Sequence, residues 1–299
     1  MRVDPFYNLG LNSSLDSLTT QQNTLTTQLS SGLAVAMPSD DPLAAAESVQ
    51  LGSGISRDDS YVQSATGIES RLQVSDSALG SAVSEITAAI SLAVSGLNGT
   101  SDGADLNTVS SQLGNIRDQV MSLANTSYAG SYLFSGTAGS TQPYSNNTAT
   151  TPATAVYAGD GNQEFTQTPS GQKIAVSVPG SAIFSAPGAD VLGSLNSLIA
   201  DFATGTASAS TQADMNELSA GLSNLTAQRA VLGSSLSTLQ QTSTYASTDA
   251  VNLEAAQSAL VASNTATVAT ELSSSETQEK ALMSVMSMPN TSLFETMQG

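Results

Sequence analysis

The chain contains no cysteine, no histidine and no tryptophan, and only 11% of its 299 residues are charged. Without cysteine there are no disulfides, no thiolate nucleophile and no zinc or iron–sulfur centre of the cysteine type. Without histidine, a Ser-His-Asp triad, imidazole metal ligands and a side chain that titrates near neutral pH are excluded. The remaining carboxylates, lysine, tyrosine and hydroxyl groups are a poor catalytic set, so we predict no enzyme, no cofactor and no metal site.

Basic residues are also scarce. Seven Lys and Arg oppose 25 Asp and Glu, which gives a formal net charge of −18. Nucleic acids and anionic membrane surfaces both require a basic footprint, so neither is an expected partner. The N-terminal segment lacks the apolar core of a signal peptide, and no stretch approaches the roughly 18 apolar residues of a membrane span. We therefore expect no membrane segment and, if the protein is exported, a route without a cleaved signal.

Hydroxyl side chains are what the chain has in excess. It contains 50 serines and 32 threonines, roughly 27% of all residues. These residues are mediocre helix formers in isolation. Helices rich in them should depend on tertiary or intermolecular packing for their stability.

Leucine recurs at heptad spacing near the N-terminus, which predicts an amphipathic first helix with one polar interruption at Gln22. Gly32 is a plausible end of this helix. Asp41 followed by Pro42 predicts the N-cap and first residue of a second helix, which we expect to continue to about Leu97. The seam of the first helix consists of Leu11, Leu15, Leu18, Leu25 and Leu29.

Helical patterns return at 106–123, at 191–202 and over a long C-terminal stretch. From Leu218, apolar residues recur every seven positions, and after Val261 the pattern shifts by one residue. We interpret this shift as a change of partner or of winding in a helix that continues from 218 to 286. A helix of that length would measure on the order of 100 Å. Its last seam residues are Leu260, Val268, Leu272, Leu282 and Met286.

The middle of the chain has a different character. Six of the thirteen aromatic residues lie between Tyr132 and Phe184. Short β-prone runs bounded by Gly and Pro predict strands, and Gly159–Gly161 has the composition of a hairpin turn. We predict an inserted β domain with Tyr144, Tyr157 and Phe165 in its small core. The predicted strands are 153–157, 163–167 and 173–178.

These patterns together predict a mainly α fold with a β insertion. A long coiled-coil-like helical bundle is built from both termini, and a small β domain lies in the middle. We expect residues 1–42 and 261–299 to form a terminal assembly domain. Residues 43–137, completed by 189–260, form a helical rod, and residues 138–188 form the insertion.

Four stretches carry a resemblance to a known family. They are QLSSG at 28–32 with PSDDP at 38–42, LANTSYAGSYLFSGT at 123–137, AQRAVLGSSLSTL at 227–239, and SLF at 292–294. The chain resembles the bacterial flagellin superfamily and, within it, the hook-associated protein 3 family. The resemblance is strong over 1–137 and 215–299 and weak over 138–214. Leu33 follows Gly32, where the family usually has a basic residue.

The resemblance implies a structural subunit of the bacterial flagellum. Members are exported unfolded through the flagellar type III apparatus without a cleaved signal, and they are extracellular. They form a ring of subunits at the end of the hook and join hook-associated protein 1 to flagellin. The implied partners are therefore hook-associated protein 1, flagellin and other copies of the chain, with an export chaperone as a further candidate.

We interpret the terminal heptad seams as the leading assembly site, and an ordinary intramolecular helix pair remains open as the alternative. The assembly residues are Leu11, Leu15, Leu18, Leu25, Leu29, Leu260, Val268, Leu272, Leu282 and Met286. Pro38, Asp40, Asp41 and Pro42 form a structural loop, and we prefer this role to a metal or catalytic pair of Asp40 and Asp41. Arg229 interrupts the C-terminal seam and is either plain core or a residue that specifies register.

Three other functions remain as alternatives. The first is flagellin, the filament subunit, which differs from a junction protein in elongating into long filaments. The second is an adhesive binding module formed by the aromatic residues of the insertion. The third is an enzyme, for example a glycosidase, that uses the two acids of the insertion, Asp160 and Glu164, and it is the weakest because these two acids are its only candidate residues.

Overall fold

The computed structural model describes residues 5–97, 103–150, 152–205 and 209–287. Helices dominate this part of the chain, and short strands occupy its middle, so the predicted mainly α class with a β insertion is confirmed. The helices are α1 (Pro5–Ser31), α2 (Pro42–Leu97), α3 (Gly103–Ala124), α4 (Gly180–Ile183), α5 (Val191–Ala203), α6 (Ala209–Val261) and α7 (Thr265–Ser287). The strands are β1 (Ser127–Tyr128), β2 (Ser131–Tyr132), β3 (Tyr144–Asn147), β4 (Thr154–Tyr157), β5 (Phe165–Gln167) and β6 (Lys173–Ala175).

The chain forms two compact units. Residues 1–56 and 249–299 make up one, which we call the terminal unit, and residues 57–248 make up the other, the central unit. Helices α2 and α6 each contribute residues to both units. The finer domain limits drawn from the sequence remain a prediction.

The start of α2 follows the local sequence signals. Oδ1 of Asp41 accepts hydrogen bonds from the backbone N–H groups of Leu43 and Ala44, each at 3.0 Å. Pro42 is the first helical residue, where its missing N–H costs nothing. At the end of α1, Gly32 has a φ of 72°, a left-handed conformation that closes a helix most cheaply in glycine. The predicted helix boundaries here are confirmed.

The predicted continuous helix from 218 to 286 is wrong. Helix α6 ends at Val261 and α7 begins at Thr265. The intervening backbone pairs with the segment after α1, because Ala34 N–H donates to the Val261 carbonyl at 2.7 Å and Ser263 N–H donates to the Gly32 carbonyl at 2.9 Å. These bonds use backbone groups next to the interruption, so the shift in the heptad pattern marks a helix end.

The core of the central unit contains residues from α2, α3, α5 and α6. Heptad positions of α2 and α6 face this core and are almost completely buried. Helices α3 and α5 pack on each other, and Oγ of Ser110 donates to the Ile199 carbonyl at 2.8 Å. The buried heptad residues include Leu72, Leu79 and Ile86 of α2 and Leu218, Leu225, Leu232 and Leu239 of α6.

Helix α2 is more apolar than the sequence analysis expected. It contains an 18-residue window with a mean hydropathy of 1.5, of which 33% is buried. The expectation that no stretch approaches a membrane span was wrong by this measure. However, Leu79, Ala82 and Ile86 of α2 are fully buried in the core of the central unit. A core helix passes the same test of length and composition, so the window is weak evidence for a membrane segment.

The strands form three separate antiparallel hairpins, β1–β2, β3–β4 and β5–β6. Three of the strands overlap the predicted runs, and β1, β2 and β3 were not predicted. Gly159–Gly161 lies between β4 and β5, which belong to different hairpins, so its prediction as a hairpin turn was wrong. The sequence could not show which strands pair, because pairing is decided by contacts across the fold.

A small aromatic cluster lies beside these hairpins. Phe134, Tyr144 and Phe184 are buried, and the ring of Phe184 makes edge-to-face contacts with the other two at 5.7 and 6.0 Å. Tyr157 stacks obliquely on Tyr144 at 5.1 Å. Phe165 is 58% exposed, so its predicted place in this core was wrong. Alternation along β5 turns Thr166 inward and leaves Phe165 on the outer face.

Candidate assembly interface

Helices α1 and α7 pack on each other in the terminal unit. The predicted assembly residues of these two helices form most of the inward-facing stripe. Leu25 and Val268 are buried, at 5% and 7% exposure, and Leu11, Leu15, Leu18, Leu272 and Leu282 are half-buried. The outer members of the set differ, because Leu29 and Met286 are exposed and Leu260 lies on α6. The structure therefore brings one part of the predicted set together as a helix–helix seam.

A polar layer interrupts this seam. Nε2 of Gln22 donates to Oε2 of Glu279 at 2.8 Å, across the two helices. Glu279 was missed by the sequence analysis, although it lies seven residues after Leu272 and so occupies a seam position. Ser275, one turn earlier, is 3% exposed and its Oγ has no hydrogen-bond partner among the described residues. The polar interruption predicted at Gln22 is therefore matched by polar residues on α7.

The seam is narrow, and the outer faces of both helices are exposed. Between Leu11 and Leu29, about one residue per turn of α1 is buried or half-buried, and the others are exposed. Large apolar residues elsewhere in the terminal unit are exposed as well, among them Leu9, Met37, Leu43, Val49 and Val251. An amphipathic helix in a complete globular core normally buries a wider apolar stripe. The terminal unit therefore presents surface that a partner could cover.

The outer face of α1 carries a single charge, and many of its hydroxyl groups already donate within the helix. Asp16 is the one charged residue in its sequence. Threonine hydroxyls on the exposed face donate to the carbonyl of the residue four positions earlier, as Thr20, Thr24 and Thr27 do at 2.8–3.1 Å. Where another helix covers this face away from Asp16, it strands no charge, and the three threonine hydroxyls keep their bonds. The abundance of Ser and Thr in the sequence was the signal for this property.

The loop between α1 and α2 is built by its two acids. Oδ2 of Asp40 accepts from the N–H groups of Ala36 and Met37, at 3.1 and 2.8 Å, and Asp41 caps α2. Both carboxylates thus hold the backbone, as the interpretation as a structural loop requires. Across the residues that the structure describes, no group of three or more acids is arranged to hold a metal ion. Pro38 lies exposed in the same loop, and Pro42 is exposed as the first residue of α2.

The two acids of the insertion have structural partners. Asp160 accepts hydrogen bonds from the backbone N–H and the hydroxyl of Thr137, and these bonds lower the pKa of the Asp160 carboxyl. Glu164 forms an ion pair with Arg71 of α2. A general acid would need a raised pKa, so the lowered pKa of Asp160 does not favour the enzyme hypothesis.

Comparison with known proteins adds an independent observation. The model of the bacterial flagellin N-terminal helical region matches residues 8–139. The match covers less than half of the chain. The match includes the QLSSG, PSDDP and LFSGT motifs, while AQRAVLGSSLSTL lies outside it. The SLF motif at 292–294 lies outside both the match and the described residues.

Two curated proteins that resemble this chain carry the name flagellar hook-associated protein 3. The protein of Escherichia coli strain K12 is 32% identical over 119 residues, which are 40% of this chain and 38% of the relative. The protein of Salmonella typhimurium is 30% identical over 158 residues, 52% of this chain and 48% of the relative. The chain thus aligns with less than half the length of either relative.

Solved structures support the fold. An inferred flagellar hook-associated protein from Vibrio parahaemolyticus is 21% identical and has a TM-score of 0.64. The match covers 74% of this chain and 99% of the Vibrio chain. At this level of identity, the similarity supports the helical architecture with its β insertion. It assigns no role to any particular residue.

Proposed function

We propose that this chain is a structural subunit of the bacterial flagellum, located at the junction between hook and filament, and that it assembles through α1 and α7. The observation that carries the proposal is the α1–α7 pair, which buries a narrow seam and leaves the outer faces of both helices exposed, that of α1 with Asp16 as its single charge. The match of residues 8–139 to the flagellin N-terminal helical region and the similarity to proteins named hook-associated protein 3 support the same role.

The physical case rests on incomplete burial. Short or isolated helices are marginal in water, and most helical stability in proteins comes from packing. In the terminal unit, the buried apolar residues among those described are Leu25, Ala44, Ala250 and Val268. Such a small core favours additional packing against neighbouring subunits. The hydroxyl bonds that Thr20, Thr24 and Thr27 make within α1 lower the cost of that packing, because these donors keep their partners when the face is buried.

The partners follow from the family. We propose that copies of this chain form a ring, and that the ring contacts hook-associated protein 1 on one side and flagellin on the other. The protein would then be extracellular and exported by the flagellar type III apparatus, with an export chaperone as a transient partner. We propose no catalytic activity, since the acids of the insertion and of the loop serve backbone and ion-pair roles.

A strain that lacks the protein tests this proposal. Electron microscopy should show flagella that end at bare hooks, and flagellin should accumulate in the medium. Complementation with the wild-type chain should restore filaments. Normal filaments in the deletion strain would contradict the junction role.

A matched pair of variants tests the interface. Thr24→Lys with Thr27→Lys places two charges on the exposed face of α1, and Thr226→Lys with Thr248→Lys places two on the exposed face of α6. All four threonines make the same hydroxyl bond to the carbonyl four residues earlier. The α1 variant should fail to complement, while the α6 variant restores filaments. Equal complementation by both variants would show that the exposed face of α1 is not part of the interface.

A role as filament subunit is the second candidate, because the matching family model is that of flagellin itself. Seeded polymerisation separates the two roles. Purified protein added to filament fragments should bind without elongating them if it is a junction subunit. Growth of long filaments would establish the flagellin role instead. Deletion of 138–187 addresses the adhesive alternative, which predicts intact motility with loss of attachment.

A further inference from the structure

The central unit contains two long helices whose apolar contacts do not define a unique alignment. On α2, Leu72, Leu79 and Ile86 recur every seven residues, and on α6 Leu218, Leu225, Leu232 and Leu239 do the same. A shift of α6 along α2 by one heptad would therefore place apolar residues on apolar residues again. In heptad pairs, polar residues commonly specify which register forms.

One polar contact between these helices is both close and directional. Nε of Arg229 lies 2.7 Å from Oδ1 of Asp76, and Nη2 lies 3.0 Å from Oδ2. This is the two-pronged pairing in which a planar guanidinium matches both oxygens of a carboxylate. Since Arg229 occupies a seam position between Leu225 and Leu232, the contact holds one residue of α6 to one residue of α2.

The surface of α2 is shaped to receive this guanidinium. Gly80 follows Asp76 by one turn, and a Cβ atom on Gly80 would lie 3.3 Å from Cζ of Arg229. Any side chain at position 80 would crowd the guanidinium group of Arg229. A carboxylate followed one turn later by a gap therefore forms a recess with a single matching position on α6.

A one-heptad shift would destroy this recess in either direction. Arg229 would then face Glu69 or Val83 in place of Asp76, and the gap at Gly80 would be filled by Gln73 or Thr87. In one direction the guanidinium loses its carboxylate, and in both directions it meets a side chain where the glycine had been. Because the apolar contacts are similar in each register, loss of the paired guanidinium and carboxylate distinguishes the observed register from the shifted ones.

We propose that Asp76, Gly80 and Arg229 are the register-setting contact of α2 and α6. A second polar pair agrees with the same alignment, because the Tyr61 and Thr242 hydroxyl oxygens lie 2.6 Å apart. Tyr61 lies fifteen residues before Asp76 on α2, and Thr242 lies thirteen residues after Arg229 on α6. The two pairs therefore fit one antiparallel register and lie about two heptads from each other. This role is independent of the partner that the terminal unit binds.

The absence of cysteine allows a direct test with the full-length chain. Ser64→Cys on α2 and Ser223→Cys on α6 are both exposed sites for nitroxide labels. Pulsed electron paramagnetic resonance should give one label–label distance in the otherwise wild-type chain. With Arg229→Leu, a second distance should appear, because a one-heptad shift moves α6 by about 10 Å along its axis. These labels are offset along the helix axes, so the shift changes their separation strongly.

Two further variants make the result decisive. Arg71→Leu removes another arginine–carboxylate pair of the same unit, the one with Glu164, and should keep a single distance. Arg229→Leu combined with Tyr61→Phe removes both polar contacts and should increase the fraction of molecules that show the second distance. The proposal is overturned if Arg229→Leu and the combined variant both retain one distance, or if Arg71→Leu also gives two. Circular dichroism verifies that each labelled variant is helical.

Discussion

Both units contain helices with a heptad pattern, but the heptad residues are more completely buried in the central unit than in the terminal unit. In the central unit, heptad residues such as Leu79, Leu225 and Leu239 are fully buried among residues of α3, α5 and the aromatic cluster. In the terminal unit, the seam between α1 and α7 buries few residues, and most of the exposed large apolar side chains of the described chain lie there. A heptad repeat thus specifies a helix surface, whereas the number of packed neighbours decides whether that surface becomes a core.

Hydrogen exchange on the monomer should show the largest contrast between the units. Local opening free energies range from about zero for frayed elements to the full 5–15 kcal/mol of a stable core. We expect amides of 8–29 in α1 to exchange near the lower limit and those around Leu79 in α2 to approach the upper limit. Mass spectrometry of peptides from both regions measures this difference. Strong protection of 8–29 in the monomer would contradict the proposed dependence of α1 on assembly.

A core truncation in the central unit should have the next largest effect. Leu225 is fully buried, and Leu225→Ala should lower the free energy of unfolding by about 2–5 kcal/mol through lost burial and a cavity. The equivalent change in the terminal unit, Leu25→Ala, should cost less because its surroundings can be reached by water. Urea unfolding followed by circular dichroism compares the two. A larger loss of unfolding free energy for Leu25→Ala than for Leu225→Ala would contradict the expected difference between the two units.

Loss of the N-cap of α2 should have a smaller effect. Asp41→Ala removes the acceptor for the N–H groups of Leu43 and Ala44 and should cost about 1 kcal/mol. The change should be confined to amides near the start of α2. Hydrogen exchange of 42–48 before and after the substitution tests this, and Asp41→Asn is the control because asparagine caps nearly as well. Equal exchange in Asp41→Ala and wild type would show that the cap is unimportant here.

The smallest expected effect concerns the N-cap of α5. Asp190 accepts from the Gly193 N–H at 2.8 Å, and burial, helped by the charge of Glu217, raises the pKa of its carboxyl above the ordinary value. A raised folded-state pKa means that the protonated form favours folding, so this contribution is present at low pH and is lost as pH rises through the folded pKa. At pH 7, Asp190→Asn should therefore be neutral or stabilise by a few tenths of a kcal/mol, since asparagine is an equivalent cap.

The pH dependence distinguishes this account from a simple loss of charge. The difference between Asp190→Asn and wild type should shrink as pH falls below the ordinary carboxyl pKa, because wild-type Asp190 then becomes neutral too. Thermal unfolding at pH 7 and at pH 3 measures it. A difference that grows on acidification would contradict the raised pKa.

Local signals predicted much of this structure. The cap at Asp41, the end of α1 at Gly32 and the start of α5 at Val191 follow from the preferences of single residues and their neighbours. The end of α6 did not follow, because its sequence continues an acceptable helical pattern and the break depends on bonds to Gly32 and Ala34. Similarly, β5 was predicted, but the direction of Phe165 depended on its register with β6.

What the sequence determined by itself is the repeat, the caps and the surface chemistry. The heptad leucines predict helices, Asp-Pro marks the start of one, and roughly 27% hydroxyl residues give helix surfaces with few charges. Only the tertiary structure decided which polar residues meet. Gln22 and Glu279 are 257 positions apart and Asp76 and Arg229 are 153 apart. Periodicity acts within a few turns of one helix, whereas such pairs arise only when distant helices pack, so their partners could not be read from either segment alone.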